Sequence, residues 1–337
     1  MRVERNEFRQ TIFNLNDEFT TFKVYFPVVN CLKGVICLMF TGIQATFIGG
    51  DARQLEVIKK FIELDASVTL IGFDNLDSNF TGAVKKDLSL EVLQSTDALI
   101  LPIVGTDDEG HVESIFCSKS IKLTAMHFKA MNPNIVIYTG MSKTFLREQC
   151  QANQLQLTEI LDRDDVAIYN SIPTVEGALM MAIQNTDITI HGSSCMVLGL
   201  GRVGMSMARA LHSLGADVKV GARKPADLAR IYEMGLTPFE LQELSEQVED
   251  VDIVYNTIPK MMLTAQILAR MPQHTLIIDL ASKPGGTDFR YAEKRGIKAL
   301  LAPGLPGIVA PKTAGRIIAK TLSRLVNEQM ANREGSS

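Results

Sequence analysis

Gly199-Leu-Gly201-Arg202-Val203-Gly204 follows the apolar run Cys195-Met-Val-Leu198 and leads into Met205, Met207, Ala208, Ala210 and Leu211 at helical spacing. A strand, three spaced glycines and a helix in this order can bind the pyrophosphate of a dinucleotide. Gly199 permits the tight turn, Gly201 lets the backbone approach the phosphates, and Gly204 lets the helix pack on the strand. The helix N-terminus, with Arg202 and Val203 in its first turn, offers free N–H groups and the positive end of its dipole. About 20 residues on, where an acid would hold the ribose of NAD, the sequence reads Gly221-Ala-Arg223-Lys224. No carboxylate stands in that loop to repel a 2′-phosphate, and Arg223 and Lys224 can pair with one. The cofactor expected is therefore NADP(H), rather than two solvated loop cations with no partner.

Four further loops sit at the ends of expected strands. Gly49-Gly50-Asp51-Ala-Arg53 turns into a helix with a cation attached, and a carboxylate could sit there as easily as the turn could be purely structural. Asn256-Thr257-Ile-Pro259 passes where a nicotinamide ribose would lie, and short polar residues suit that contact. Ser282 and Lys283 stand beside Pro284-Gly-Gly286, where glycines allow close backbone approach to a ligand. Ala302-Pro-Gly-Leu-Pro-Gly307 forms a turn-rich loop that ends at a helix start with Lys312 and Thr313, able to take an anion. His111, His127, His191, His212 and His274 are dispersed, and none forms a pair at metal-ligand spacing. Tyr169 and Glu176 flank an expected bridge between the halves, but no general base stands out.

The elements that must position these loops alternate. Ala45–Ile48, Val68–Ile71, Ala98–Leu101 and Asn134–Tyr138 read as strands in the first half, with a helix over Arg53–Leu64. In the second half strands fall near Ser194–Leu198, Asp217–Val220, Asp252–Asn256, Thr275–Asp279 and Lys298–Leu301, with helices at Pro225–Met234 and Met262–Arg270. This pattern predicts an α/β chain of two Rossmann-like, doubly wound domains with an interdomain cleft. The first is expected over 42–170 and the second, NADP-binding one over 174–311. Helices Thr174–Asn185, whose start is signalled by Pro173-Thr174, and 313–330, returning to the first domain, bridge them.

Composition narrows the classes. The chain has 337 residues, an apolar share of 46% and 34 basic against 38 acidic residues, with no basic stripe, so no nucleic-acid partner is indicated. Five scattered cysteines without a CxxC argue against a disulfide framework or a zinc site and for a reducing, cytoplasmic compartment. The apolar run Tyr25–Phe40 is broken by Lys33 and too short to span a bilayer. Residues 1–38 are read as a non-native or poorly ordered extension, since regular punctuation begins at Gly42 and Met39 could initiate the chain.

Longer strings reach beyond the glycine fingerprint. Ile48–Leu55, Phe80–Ala83, Arg163–Gly177, Thr189–Gly192, Val220–Arg223, Asn256–Pro259, Asp279–Phe289 and Ala302–Gly315 resemble the A subunits of dipicolinate synthase, over about 40 to 325 of the chain. The resemblance implies oxidation of a dihydrodipicolinate-type precursor to dipicolinate, in the mother cell of a sporulating bacterium. It also implies a partner, the flavoprotein-like B subunit, and self-association stays open. A small ring with two carboxylates needs cations and helix N-termini, for which Arg53, Lys283 and Lys312, with Ser282 and Thr313, are the candidates. Because the product ring is aromatic, positioning matters more than a strong base. Two other readings remain: a shikimate- or 2-hydroxyacid-type NADP-dependent dehydrogenase, and a catalytically silent NADP(H)-binding regulatory or scaffold subunit.

Overall fold

Aliphatic and β-branched runs separated by amphipathic ones give parallel strands covered by helices on both faces. The computed structural model describes residues 28–31, 35–76 and 80–334, and contains two six-stranded, wholly parallel sheets. The first has the spatial order Gln156–Glu159, Val136–Thr139, Ala98–Ile100, Gln44–Ile48, Ser67–Ile71, Ala83–Lys85. The second runs Thr237–Glu240, Asp217–Ala222, Ser194–Leu198, Ile253–Asn256, Leu276–Asp279, Lys298–Leu301. In each, the first strand of the sequence lies between the second and the fourth. Strand order therefore reverses there, and a crevice opens at the C-terminal edge.

Register brings the loops together on that edge. Leu198 pairs with Gly221 on one side and Asn256 on the other, Asn256 with Asp279, and Asp279 with Leu301. The glycine turn, the Arg223 loop, the Asn256 loop, the Ser282–Lys283 loop and the segment after Leu301 thus emerge side by side.

Helix Asp164–Asn185 joins the two domains, packing on helices Arg202–Ser213, Leu305–Val309 and Pro311–Glu334. Its start corrects the sequence expectation. It begins ten residues before Thr174 and takes Pro173 into its interior, where the side chain is buried. A proline there removes one backbone N–H. The hydroxyls of Ser171 and Thr174 donate to the carbonyls of Ile168 and Asn170 at 2.7 Å, while Asp164 and Asp165 favour the first turn electrostatically. By length and composition alone this helix could cross a membrane; in the fold, Val166, Val175, Ala178 and Ala182 are buried, and Asp164 and Asp165 pair with Arg202 and Arg324.

The last helix, Pro311–Glu334, lies along helix Ala52–Glu63 and sends Ile318, Ala319, Leu322 and Val326 into the first core. The Tyr138 hydroxyl donates to Gln329 Oε1 at 2.7 Å near its far end. Within the segment read as an extension, Val28–Cys31 and Val35–Leu38 form an antiparallel pair, and residues 1–27 and 32–34 lie outside the described residues. Phe40 is fully buried against Phe61, ring centroids 5.3 Å apart.

Candidate cofactor and substrate site

The glycine turn is shaped as its spacing requires. Gly199 has φ +94°, and a Cβ at Gly204 would land on the Gly199 carbonyl and 2.9 Å from its carbon. A Cβ on Gly201 would meet nothing within 4 Å, so that face of the backbone is open. Gly201 is the N-cap of helix Arg202–Ser213 and makes no side-chain cap, and the first helical bond is Met205 N–H to the Gly201 carbonyl at 2.9 Å. The N–H groups of Arg202, Val203 and Gly204 precede it and have no carbonyl of the preceding turn to bond. An open backbone cradle at an uncapped helix N-terminus fits a dinucleotide pyrophosphate. Arg202 pairs across the domains with Asp164 at 3.1 Å, and the Ser206 and Ser171 hydroxyls lie 2.7 Å apart beneath it.

Arg223 and Lys224 are exposed just past strand Asp217–Ala222. Arg223 lines a groove of about 230 Å³ with Ala222, Glu240, Leu241 and Gln242. The loop lacks an acid, but the groove does not, because Ala222 pairs in register with Glu240 of the neighbouring strand.

Asn256 and Thr257 turn inward. The Asn256 amide is fully buried, donates to Asp279 Oδ1 at 3.0 Å and to the Ile258 carbonyl at 3.1 Å, and accepts the Ile258 N–H. The Thr257 hydroxyl donates to the Leu198 carbonyl at 2.7 Å, under the glycine turn. Both brace the loop that ends at exposed Pro259. Asp279, to which the sequence reading gave no role of its own, is the centre of this wall. Fully buried, it also accepts from Ala281 N, Gly286 N and the Thr287 hydroxyl at 3.1, 2.8 and 2.7 Å. It thereby holds the loop on which Ser282 and Lys283 are exposed, ahead of a cis Lys283–Pro284 bond. An acid closing the apolar run Leu276–Ile278 was its signal.

On the first domain, Asp51 caps helix Ala52–Glu63 and accepts from the Arg53 N–H, Nε and Nη2, so Arg53 carries its own counter-ion. Its guanidinium lies against Gly307, where a Cβ would stand 2.9 Å from Cζ. The structure so brings Arg53 to the segment leading to exposed Lys312 and Thr313, while Ser282 and Lys283 remain on their own loop.

Residues 44–161 match the family model for the N-terminal domain of the dipicolinate synthase A subunit, and residues 170–335 that for the alanine dehydrogenase/PNT C-terminal domain. The A subunit of dipicolinate synthase from Bacillus subtilis (strain 168) is 55% identical over 269 residues, covering 80% of this chain and 91% of the relative. The chain belongs to the family of dipicolinate synthase A subunits. The crystal structure of the family member from Bacillus halodurans superposes with a TM-score of 0.83 at 55% identity, covering 85% of this chain and 98% of the other. A transhydrogenase from Sinorhizobium meliloti, at 17% identity, TM-score 0.60 and coverage of 84% and 93%, shares the fold.

In this family member the histidines stand away from the glycine turn. His191 and His274 precede strands Ser194–Leu198 and Leu276–Asp279 and so lie at the opposite edge of the sheet. His111 pairs with Asp107 at 3.1 Å, and His127 Nδ1 accepts the Thr124 N–H at 3.0 Å. Tyr169 lies under Lys320 Nζ, 5.4 Å from its ring centroid, and Glu176 is exposed. Among the described residues no group of three His, Cys, Asp or Glu could hold a metal ion.

Asp51 gives a test by pH. Burial pushes its carboxyl up, but hydrogen bonds from Arg53 and its charge more than offset this, so the group sits below the ordinary carboxylate range. A depressed folded value stabilises above the unfolded value and is lost as pH falls. The wild-type chain is expected to melt higher than Asp51→Asn at pH 7, with the gap closing below about pH 4. Parallel melting curves across the acid range would sink the pairing.

Proposed function

We propose that this chain is the NADP(H)-dependent dehydrogenase component of a dipicolinate synthase, oxidising a dihydrodipicolinate-type precursor to dipicolinate during sporulation. The observation that carries this is the open Gly201 cradle, at an uncapped helix N-terminus, in a chain 55% identical to a dipicolinate synthase A subunit. The name of those relatives and the alanine dehydrogenase/PNT domain support a nicotinamide-dependent protein that works with at least one further subunit, which in this reading is the flavoprotein-like B subunit. Gly201, Arg202, Val203 and Gly204 would hold the pyrophosphate and Arg223 and Lys224 the 2′-phosphate; bound there, the nicotinamide supplies a hydride acceptor. The chain's own work is to bind and orient. Asn256, Thr257 and Asp279 keep the adjoining wall rigid, and Arg53, Ser282, Lys283, Lys312 and Thr313 face a ring with two carboxylates. Orientation can suffice where loss of two hydrogens makes an aromatic ring.

The test follows absorbance at the reduced-nicotinamide band, with purified chain, NADP⁺ and freshly made dihydrodipicolinate, with and without the B subunit. Reduction of NADP⁺ alongside a pyridine product supports the dehydrogenase. Turnover that needs the partner makes the site a shared one. No reduction in either mixture, despite tight NADP⁺ binding, replaces the proposal with a silent cofactor-binding role.

A further inference from the structure

The first turns of two helices meet where the domains join. Helix Pro311–Glu334 touches helix Ala52–Glu63 at Gly315, where a Cβ would strike the Arg53 carbonyl and lie 2.9 Å from Glu56 Cβ. Arg316 Nε donates to Glu56 Oε2 at 2.9 Å and fixes the pairing. The shorter helix is capped by Asp51. The longer one is not: Ala310, whose carbonyl takes the Ala314 N–H at 3.0 Å, has no side chain to cap with. The N–H groups of Lys312 and Thr313 precede that bond, at the positive end of a 24-residue helix and beside the Lys312 charge.

A second, independent feature lies in the first turn of the shorter helix. Gln54 is 6% exposed, and its Nε2 is buried without a hydrogen-bond partner. Its side chain folds back over Gly50, with Cβ, Cγ and Cδ 3.1, 3.2 and 3.4 Å from where a Cβ there would stand. The amide is thus carried toward the end of strand Gln44–Ile48, at the point where strand order reverses. Thr106, 1% exposed, has a second unmet hydroxyl past the neighbouring strand Ala98–Ile100. Buried polar groups are normally met by the chain, by ordered water or by a bound group, and these two lie together at the C-terminal end of the sheet. Arg53 adds another donor: Asp51 takes Nε and Nη2, while Nη1 lies 3.1 Å from the missing Cβ of Gly307.

We infer that one carboxylate of the substrate is seated here, accepting from Gln54 Nε2, Arg53 Nη1 and the N–H groups that open helix Pro311–Glu334. The inference rests on the dicarboxylate reading above and leaves the second carboxylate to Ser282 and Lys283. The asymmetry is chemical, since a neutral amide beside an internally paired arginine favours a carboxylate over a bulkier, more highly charged phosphate.

The experiment is calorimetric titration of pyridine-2,6-dicarboxylate into the full chain with NADP⁺ present, for the wild type, Gln54→Leu and Gln54→Glu. Gln54→Leu removes the donor at similar volume. It is expected to weaken dicarboxylate binding about 10-fold, a typical loss for a hydrogen bond to a charged group. NADP⁺ affinity should hold and the melting temperature should hold or rise, which loss of a structural contact would not produce. Gln54→Glu sets like charges together and should weaken binding further. Equal dicarboxylate affinity in wild type and Gln54→Leu overturns the seat and leaves the dicarboxylate reading intact. A wild-type chain that binds NADP⁺ but not the dicarboxylate overturns that reading, and the seat with it.

Discussion

Arg223→Ala is expected to weaken NADP⁺ binding by about 10- to 100-fold and to leave NAD⁺ binding within about threefold of wild type. Arg223 is exposed at the end of strand Asp217–Ala222, in the groove where the adenosine ribose of a Rossmann domain lies. Hydrogen bonds to a charged group contribute roughly 1.5–3 kcal/mol, and 1.4 kcal/mol is about tenfold in affinity. Glu240 in the same groove sharpens the expectation, because its carboxylate would oppose a 2′-phosphate and Arg223 must outweigh it. Glu240→Gln should therefore strengthen NADP⁺ binding, the opposite direction to Arg223→Ala. If Glu240 instead held the ribose hydroxyls of NAD⁺, Glu240→Gln would weaken NAD⁺ binding. Titrating both cofactors by nicotinamide fluorescence separates these cases. An NADP⁺ to NAD⁺ ratio unchanged in Arg223→Ala would refute the 2′-phosphate role.

Glu240 also shows where sequence stops being readable. The inner strands of both sheets are buried on both faces and spell continuous apolar runs, such as Cys195–Leu198 and Leu276–Ile278, which stand out from any surroundings. Edge strands are half wet. Thr237–Glu240 contains Pro238 and buries Phe239 between exposed Thr237 and Glu240, while Ala83–Lys85 and Gln156–Glu159 have no fully buried residue. None of these three has a pattern distinct from a loop, and a proline is tolerated at an edge. The fourth edge strand, Lys298–Leu301, is legible from its run Ala299-Leu-Leu301. Missing strand Thr237–Glu240 hid the carboxylate it carries to Arg223. Pro173 misled for the converse reason, since a local start signal was overridden by the packing of a long interdomain helix.

The site divides along the same line. The shape of its glycine turn was legible because Gly199 and Gly204 each answer a backbone demand that few residues meet, and the position of Arg223 because its loop follows a strand at fixed spacing. The tasks of Asn256, Thr257 and Asp279 were not. Their hydrogen bonds run between loops 23 or 59 residues apart, as Asn256 to Asp279 and Thr257 to Leu198 do. The same holds for Gln54, which reads as one polar residue in an amphipathic helix. Its significance is an unmet donor in a buried place, a property of the assembled domain.

The glycine turn itself gives the largest expected effect, and two of its members should fail in different ways. Gly201 sits in an extended conformation, φ −77° and ψ −168°, that alanine adopts freely, and a Cβ there meets nothing within 4 Å. Gly201→Ala should fold with a stability within about 0.5 kcal/mol of wild type. Its methyl would nonetheless fill the space a pyrophosphate must enter to reach the helix N–H groups. Losing two hydrogen bonds to a charged group amounts to about 3 kcal/mol or more, a drop in cofactor affinity of at least about 100-fold. Gly204→Ala drives a methyl into the Gly199 carbonyl, so the helix must back away from the strand before any cofactor arrives. That overpacking should cost about 1–3 kcal/mol, or roughly 2–12 °C in melting temperature for a domain of this size. Thermal melts without cofactor, paired with NADPH titrations, distinguish the two. Wild-type NADPH affinity in Gly201→Ala would remove the pyrophosphate from this turn, and Arg223, whose role depends on the same cofactor pose, would lose its 2′-phosphate with it.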